Sequence, residues 1–83
     1  MNEDYDAILY AVEKAVDQHP KLQRKGEARI EVTRVSPRYA VHVNARYRGG
    51  RKRPHTLHGS GDTAREAAEQ LVSELDVWAE AIK

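Results

Sequence analysis

The residues of this chain that could do chemistry cluster around a glycine pair, Gly49-Gly50. Arginine guanidinium groups bind phosphates and guanine edges through paired hydrogen bonds, and the asparagine amide binds adenine in the same way. Most of these residues stand at alternate positions, which is the spacing of side chains that share one face of a β-strand. The set predicts contact with the phosphates and base edges of a nucleic acid. It consists of Arg29, His42, Asn44, Arg46, Arg48, Arg51, Lys52, Arg53 and His55.

The charges of the chain are segregated along its length. Residues 20–58 contain eleven Lys or Arg and two acids, whereas residues 1–19 and 59–83 each carry a net charge of −4. The overall net charge of +1 therefore conceals a strongly basic middle segment, which indicates an acidic partner. Part of this basic segment is a linker before the first strand. This linker would extend the basic surface if the fold brings the linker beside the sheet. Its cations are Lys21, Arg24 and Lys25.

Helical periodicity places one helix at either end of the chain. The first helix is predicted over about residues 4–19 and ends before Pro20, because proline disfavours helical backbone at the preceding residue. The last helix is predicted over about residues 62–81. Thr63 and Glu66 have the spacing of a capping box at its start.

Between the helices, apolar and polar residues alternate, which predicts strands. They lie at about residues 27–35, 38–48 and 51–58. A turn is expected at Val35-Ser36-Pro37-Arg38, and Gly49-Gly50 suits the centre of a two-residue hairpin turn, where both residues need positive φ.

The element order α-β-β-β-α predicts a single α+β domain over residues 1–83, with two helices on one face of a three-stranded antiparallel sheet. Pro54 has no N–H to donate, so the third strand is expected at an edge. A chain of this length buries a small core; a homodimer would add stability, and the sequence leaves that state open. No apolar run approaches the roughly 18 residues of a membrane span, and the N-terminus is acidic, so a cytoplasmic location without membrane contact is expected.

A turn confined to Gly49-Gly50 fixes the predicted register of the last two strands. The apolar residues of the second strand must face the helices, so the polar set falls on the open face of the sheet. Arg29 joins that face if Ile30 pairs with Val43, and a shift of one residue in the last hairpin would scatter the set. The predicted pairs are Arg48–Arg51, Arg46–Arg53, Asn44–His55 and His42–Leu57.

The sequence predicts a binding protein rather than an enzyme, with no cofactor and no metal. The chain has no cysteine, and no nucleophile, base and orienting group stand at a recognisable spacing. His55 and His58 point to opposite faces of the predicted strand, which is wrong for joint metal ligation. One alternative stays open, a metal-free ribonuclease in which His42 or His55 acts as the acid–base group among arginines.

Two families resemble long stretches of this chain. The α-β-β-β-α order resembles the double-stranded-RNA-binding domain, which implies that fold; that family binds phosphates through lysines at the start of its second helix, where this chain has Asp62-Thr63-Ala64-Arg65-Glu66. Residues 27–75 resemble the arm-site-binding domains of tyrosine-recombinase integrases, which lay an open sheet face in the major groove. The second resemblance implies DNA contact by Asn44, Arg46, Arg48, Arg51 and Arg53.

The predicted partner is a nucleic-acid duplex, with an acidic protein surface as the alternative. The chain has no Phe, and Tyr39 and Tyr47 are in phase with the core-facing Val41, so the open face lacks the aromatic platforms of single-strand binders. In size, lack of cysteine and segregated charge, the chain also resembles phage-encoded inhibitors, including anti-CRISPR proteins. That resemblance implies a protein-binding inhibitor that acts through its charged surfaces.

Overall fold

The computed structural model describes residues 4–33 and 38–83, which form an α+β fold with a helix at the N-terminal end, an open antiparallel sheet and helices at the C-terminal end. This confirms the predicted class, whereas the predicted three strands and two helices are wrong, because four strands and three helices are present in these residues. The turn predicted at Val35-Ser36-Pro37 lies outside the described residues. The elements are α1 (Tyr5–Gln18), β1 (Leu22–Arg24), β2 (Arg29–Val32), β3 (Tyr39–Tyr47), β4 (His55–Gly61), α2 (Ala64–Ser73) and α3 (Leu75–Ala81).

The ends of α1 follow from local side-chain chemistry. The Asp4 carboxylate caps the helix by accepting a hydrogen bond from the backbone N–H of Ala7 at 3.1 Å. At the other end His19 has extended backbone, as expected for the residue before a proline. One face of α1 packs on the sheet through Ile8, Val12 and Val16, which are buried.

The central strand is β3, and β4 pairs with one of its edges from Tyr39↔Gly61 to Ala45↔His55. On the other edge β1 lies opposite the C-terminal end of β3, and β2 lies opposite its N-terminal end. Within the described part of the predicted first strand, residues 27–33, the strand is the short β2, and the predicted linker contains β1. Leu22 is the one apolar residue of β1, so this strand has no alternation that sequence reasoning could detect.

β4 lies later in the chain than the strand predicted at 51–58. Pro54 precedes it rather than interrupting it, although β4 is at an edge as expected. Gly59 lies where α2 crosses the strand, because a Cβ at this position would stand 2.5 Å from the Ala67 carbonyl oxygen and the Leu71 amide nitrogen. Glycine is required here by close approach of two backbones, and it breaks the apolar alternation that identifies a strand.

The single helix predicted over 62–81 is divided at Glu74, whose backbone lies at φ −103° and ψ 7°. Just before it, the Ser73 hydroxyl donates to the Gln70 carbonyl at 2.8 Å. The start of α2 is as predicted: Thr63 is the N-cap, and its hydroxyl oxygen accepts from the Glu66 N–H at 3.1 Å. α3 meets the C-terminal end of α1, where His19 Nε2 lies 2.7 Å from Asp76 Oδ1.

The core lies between the helices and one face of the sheet. The opposite face of β3 is open: Asn44 is exposed there, and His42 and Arg46 are half-buried. Among the helices of the described residues, none is long and apolar enough to cross a bilayer. The largest fully buried side chains are Leu22, Leu57, Leu71, Val12, Val16, Val41 and Val43.

Candidate nucleic-acid interface

The register between β3 and β4 differs by one residue from the predicted register. His42 lies opposite His58, and Val43 lies opposite Leu57. The Gly50 N–H donates to the Tyr47 carbonyl at 2.9 Å, but the connection between the strands is not confined to two residues: it runs over residues 48–54, and its length sets the observed register. Because side chains alternate, a shift of one residue exchanges the two faces of β4. The predicted pairs Arg48–Arg51, Arg46–Arg53, Asn44–His55 and His42–Leu57 are therefore wrong.

The shift replaces His55 by His58 on the open face. His55 pairs with Ala45, which puts it in phase with the core-facing residues at the exposed end of β4. The ring of His58 lies 6.3 Å from that of His42 and 5.4 Å from that of Trp78, measured between ring centroids. Sequence reasoning missed His58 because the assumed turn put it on the other face.

The open face is made of side chains that alternate away from the core on four paired strands. Arg29 lies on it, directly opposite His42. The predicted pairing of Ile30 with Val43 is off by two residues, since Ile30 pairs with Val41, but a shift of two leaves Arg29 on the same face. We use the name open face for Gln23, Arg29, Glu31, His42, Asn44, Arg46, Thr56 and His58.

Hydrogen bonds hold several open-face side chains in place. The Thr56 hydroxyl donates to the Asn44 side-chain oxygen at 2.9 Å, and Arg46 Nε donates to Gln23 Oε1 at 3.4 Å. Gln23 and Thr56 were not predicted as interface residues, because their place beside β3 depends on the observed pairing. These contacts orient Asn44 and Arg46 toward one side of the sheet.

The tip loop, residues 48–54, connects β3 to β4 at the end of the sheet where Arg46 lies. Arg51, Lys52 and Arg53 are all exposed in it. Lys52 Nζ donates to the Lys83 carbonyl at 3.3 Å, which ties the loop to the end of α3. The predicted cations of the tip are therefore loop residues next to the open face, and they do not form cross-strand pairs.

Arg48 is withdrawn from the open face by a structural contact. Its Nη2 donates to the carbonyls of Asp17 and His19 at 3.0 and 3.1 Å. The last carbonyls of a helix lack intrahelical partners, so this guanidinium satisfies the C-terminal end of α1. Arg48 therefore joins α1 to the end of β3, and its charge is less available to a ligand.

The linker cations Lys21 and Arg24 also face acids of the helices. Arg24 forms ion pairs with Glu13 and Asp17 of α1, and its hydrogen bond with Asp17 raises the pKa of its guanidinium. Lys21 Nζ lies 3.1 Å from Glu80; this hydrogen bond raises the pKa of Lys21 and lowers the pKa of Glu80. Lys25 is half-buried beside β3, with its backbone N–H on the Asn44 carbonyl at 2.7 Å. The linker thus contributes mainly to holding the helices on the sheet.

We expect Arg24→Ala to lower the free energy of unfolding by about 1 kcal/mol, because it removes one cation from two partly exposed ion pairs. Urea denaturation followed by circular dichroism measures this change, and Lys25→Ala, which removes the neighbouring charge outside this ion-pair network, is the matched control. A larger loss in the control than in Arg24→Ala would contradict this structural role.

Four arginines of the open face and the tip loop lack an acidic partner in the described part of the chain. Glu31 is the carboxylate of the open face, and it lies 3.3 Å from His42 Nε2. No carboxylate of residues 4–33 and 38–83 lies within ion-pair distance of these four guanidinium groups. The four are Arg29 and Arg46 on the open face and Arg51 and Arg53 in the tip loop.

The described residues contain no group of three or more side chains that could hold a metal ion. Comparison with known proteins yields no matching family model, no similar curated protein and no similar solved structure.

Proposed function

We propose that this protein binds a nucleic-acid duplex through its open face and tip loop. The observation that carries the proposal is the group of four arginines without acidic partners in the described residues, two on the open face and two in the exposed tip loop beside it. A concentration of one sign of charge attracts a ligand of the other sign. The helical layer contains most of the acids, so it repels phosphates and favours approach of the duplex from the sheet side.

The proposed contacts divide by residue type. Arg51, Lys52 and Arg53 are exposed loop cations that suit phosphate contacts, which set affinity and position. Asn44 and Arg46 are held by neighbours on the open face, so they suit base edges in the major groove, which a sheet or ribbon can enter. This mode resembles that of integrase arm-site-binding domains, with Arg48 outside the proposed interface and Arg29 in it.

Arg46→Ala combined with Arg53→Ala is expected to weaken duplex binding by about 2–3 kcal/mol in total, because one base-edge and one phosphate contact are lost. The dependence of log affinity on log salt should also fall by about 0.9 for each phosphate contact removed. The measurement is fluorescence anisotropy with labelled DNA and RNA duplexes of about 20 base pairs, two helical turns of DNA, at low and physiological salt.

The matched control is Lys14→Ala combined with Arg65→Ala, which removes the same charge from the helices. Its affinity should stay within about twofold of the unmodified protein, since long-range charge is screened over about 8–10 Å. Equal losses in both double variants would show that only net charge matters. Absence of saturable binding at low salt would reject the proposed function.

A second candidate function is binding of a basic protein segment on the helices, as in an inhibitor or adaptor. A recess of about 350 Å³ between α1 and α2 favours it, with apolar lining that includes Ile8, Val12 and Val72. The acids of α1 and α2 supply charge complementary to such a segment. This candidate predicts a complex with a basic protein segment that survives an excess of competitor duplex. The nucleic-acid proposal predicts that no such protein complex forms.

A further inference from the structure

A polar recess of about 250 Å³ opens on the open face, beside the middle of β3. It lies at the interruption between β1 and β2. β1 pairs Gln23 with Arg46, and β2 pairs Arg29 with His42, so the chain between them has two residues more than a continuous strand would need. Residues 26–28, which follow the Lys25 hydrogen bond to the Asn44 carbonyl, therefore bow away from β3, and the recess is the space that they leave.

This bow is fixed by specific contacts. Gly26 has φ +91°, a left-handed conformation that favours glycine, and its carbonyl accepts a hydrogen bond from Arg24 Nη1 at 3.0 Å. Ala28 is buried, and its N–H donates to Glu13 Oε1 at 3.5 Å. The recess is thus part of the folded structure, which lowers the entropic cost of binding a ligand there.

The lining offers both hydrogen-bond donors and acceptors. Thr56 donates to the side-chain oxygen of Asn44, which leaves the Asn44 amide N–H groups for a ligand. Glu27 and Glu31 supply carboxylate oxygens, and Arg29 supplies guanidinium donors. Two carboxylates beside one arginine disfavour a phosphate, whereas the edge of a nucleobase is neutral and carries donors and acceptors of its own.

The size of the recess also suits a single base. Its volume of about 250 Å³ is below the roughly 300–1,000 Å³ of typical small-ligand pockets, so it is small for a larger ligand. Arg46 lies toward one end of the open face, and the tip loop follows β3 at that same end of the sheet, where phosphates on the flanking strand would be accommodated.

We propose that this recess binds one unpaired nucleobase of the nucleic acid that the open face and tip loop hold. The inference rests on the proposed function and adds its substrate class, a duplex interrupted by an extrahelical nucleotide. Moving a paired base out of a duplex costs a few kcal/mol, and this cost is smallest for a base that is already unpaired. A bulged duplex should therefore bind more tightly than a continuous one.

The test compares two labelled duplexes of the same sequence, one continuous and one with a single extra nucleotide at its centre. The bulged duplex should bind about tenfold more tightly in anisotropy titrations, which corresponds to one set of base-edge hydrogen bonds. Repeating the titration with each of the four bases as the extra nucleotide measures which edge the recess prefers.

The ratio of the two affinities is the readout for the variants. Asn44→Ala and Glu27→Gln should each reduce that ratio toward one, because the first removes an amide from the recess and the second replaces a carboxylate acceptor oxygen by an N–H donor. Arg53→Ala is the matched control, since it should weaken both complexes and leave the ratio unchanged. Circular dichroism spectra confirm that each variant is folded.

The outcomes of these titrations test the base-binding recess separately from the proposed function. If both duplexes bind with equal affinity, the base-binding recess is rejected and the proposed function stands. If neither duplex binds at low salt, the proposed function fails and the recess proposal fails with it. If the ratio remains about ten in both recess variants, the unpaired base binds elsewhere and the recess is rejected.

Discussion

Val43→Asp is expected to abolish the folded state under conditions where the unmodified protein is stable. Val43 is 1% exposed and lies opposite the fully buried Leu57, in the centre of the core. A carboxylate buried there without a partner should cost at least about 4 kcal/mol, against a total stability near the low end of roughly 5–15 kcal/mol for so short a chain. Loss of the urea transition in circular dichroism is the expected observation.

Asn44→Asp is the matched control for this experiment. It introduces the same carboxylate one residue later in β3, where the side chain is exposed on the open face. Its free energy of unfolding should change by less than about 1 kcal/mol, as for most surface substitutions. A Val43→Asp protein as stable as the control would show that the facing of β3 is wrong.

Gly59→Ala is expected to lower the free energy of unfolding by about 3 kcal/mol. The added Cβ would meet backbone atoms of Ala67 and Leu71 at 2.5 Å, and backbone atoms cannot rotate aside as a side chain can. α2 would have to move away from β4, which would open the packing of Leu71 against the sheet. Urea denaturation at equilibrium measures the loss.

Gly49→Asn separates this steric effect from the conformational freedom of glycine. Gly49 has φ +79°, and a Cβ built there meets no atom within 4 Å. Asparagine tolerates left-handed backbone better than most residues, so the loss should be below about 1 kcal/mol. If Gly59→Ala cost no more than this control, the close approach of α2 to β4 would be refuted.

Sequence reasoning succeeded where structure follows from local pattern. The helices near both ends were identified from apolar spacing and from Thr63 as a cap, and β3 was identified from strict alternation over nine residues. β1 was missed and β4 was misplaced, because both segments become strands by pairing with β3 and carry no clear alternation of their own. Glycine is needed at position 59 because α2 packs closely against β4 there, so no pattern within the strand itself could indicate this requirement.

The candidate interface also contains residues placed by local pattern and residues placed by strand pairing. Alternation in β3 was enough to place His42, Asn44 and Arg46 together, since every second residue of a strand lies on the same face. The partners of β3 depended on the whole connection of residues 48–54, which places Ala45 opposite His55, one residue away from the register of a two-residue turn at Gly49-Gly50. The length of this connection therefore decided that His58, and not His55, lies on the open face.

The sequence by itself determined the α+β class, the basic middle segment and the facing of β3, because composition and alternation are properties of neighbouring residues. Only the tertiary structure decided which cations have acidic partners. Arg24 and Lys21 meet acids of α1 and α3, and Arg48 meets the carbonyls at the end of α1. Such contacts join residues distant in the chain, so they depend on how the helices pack on the sheet.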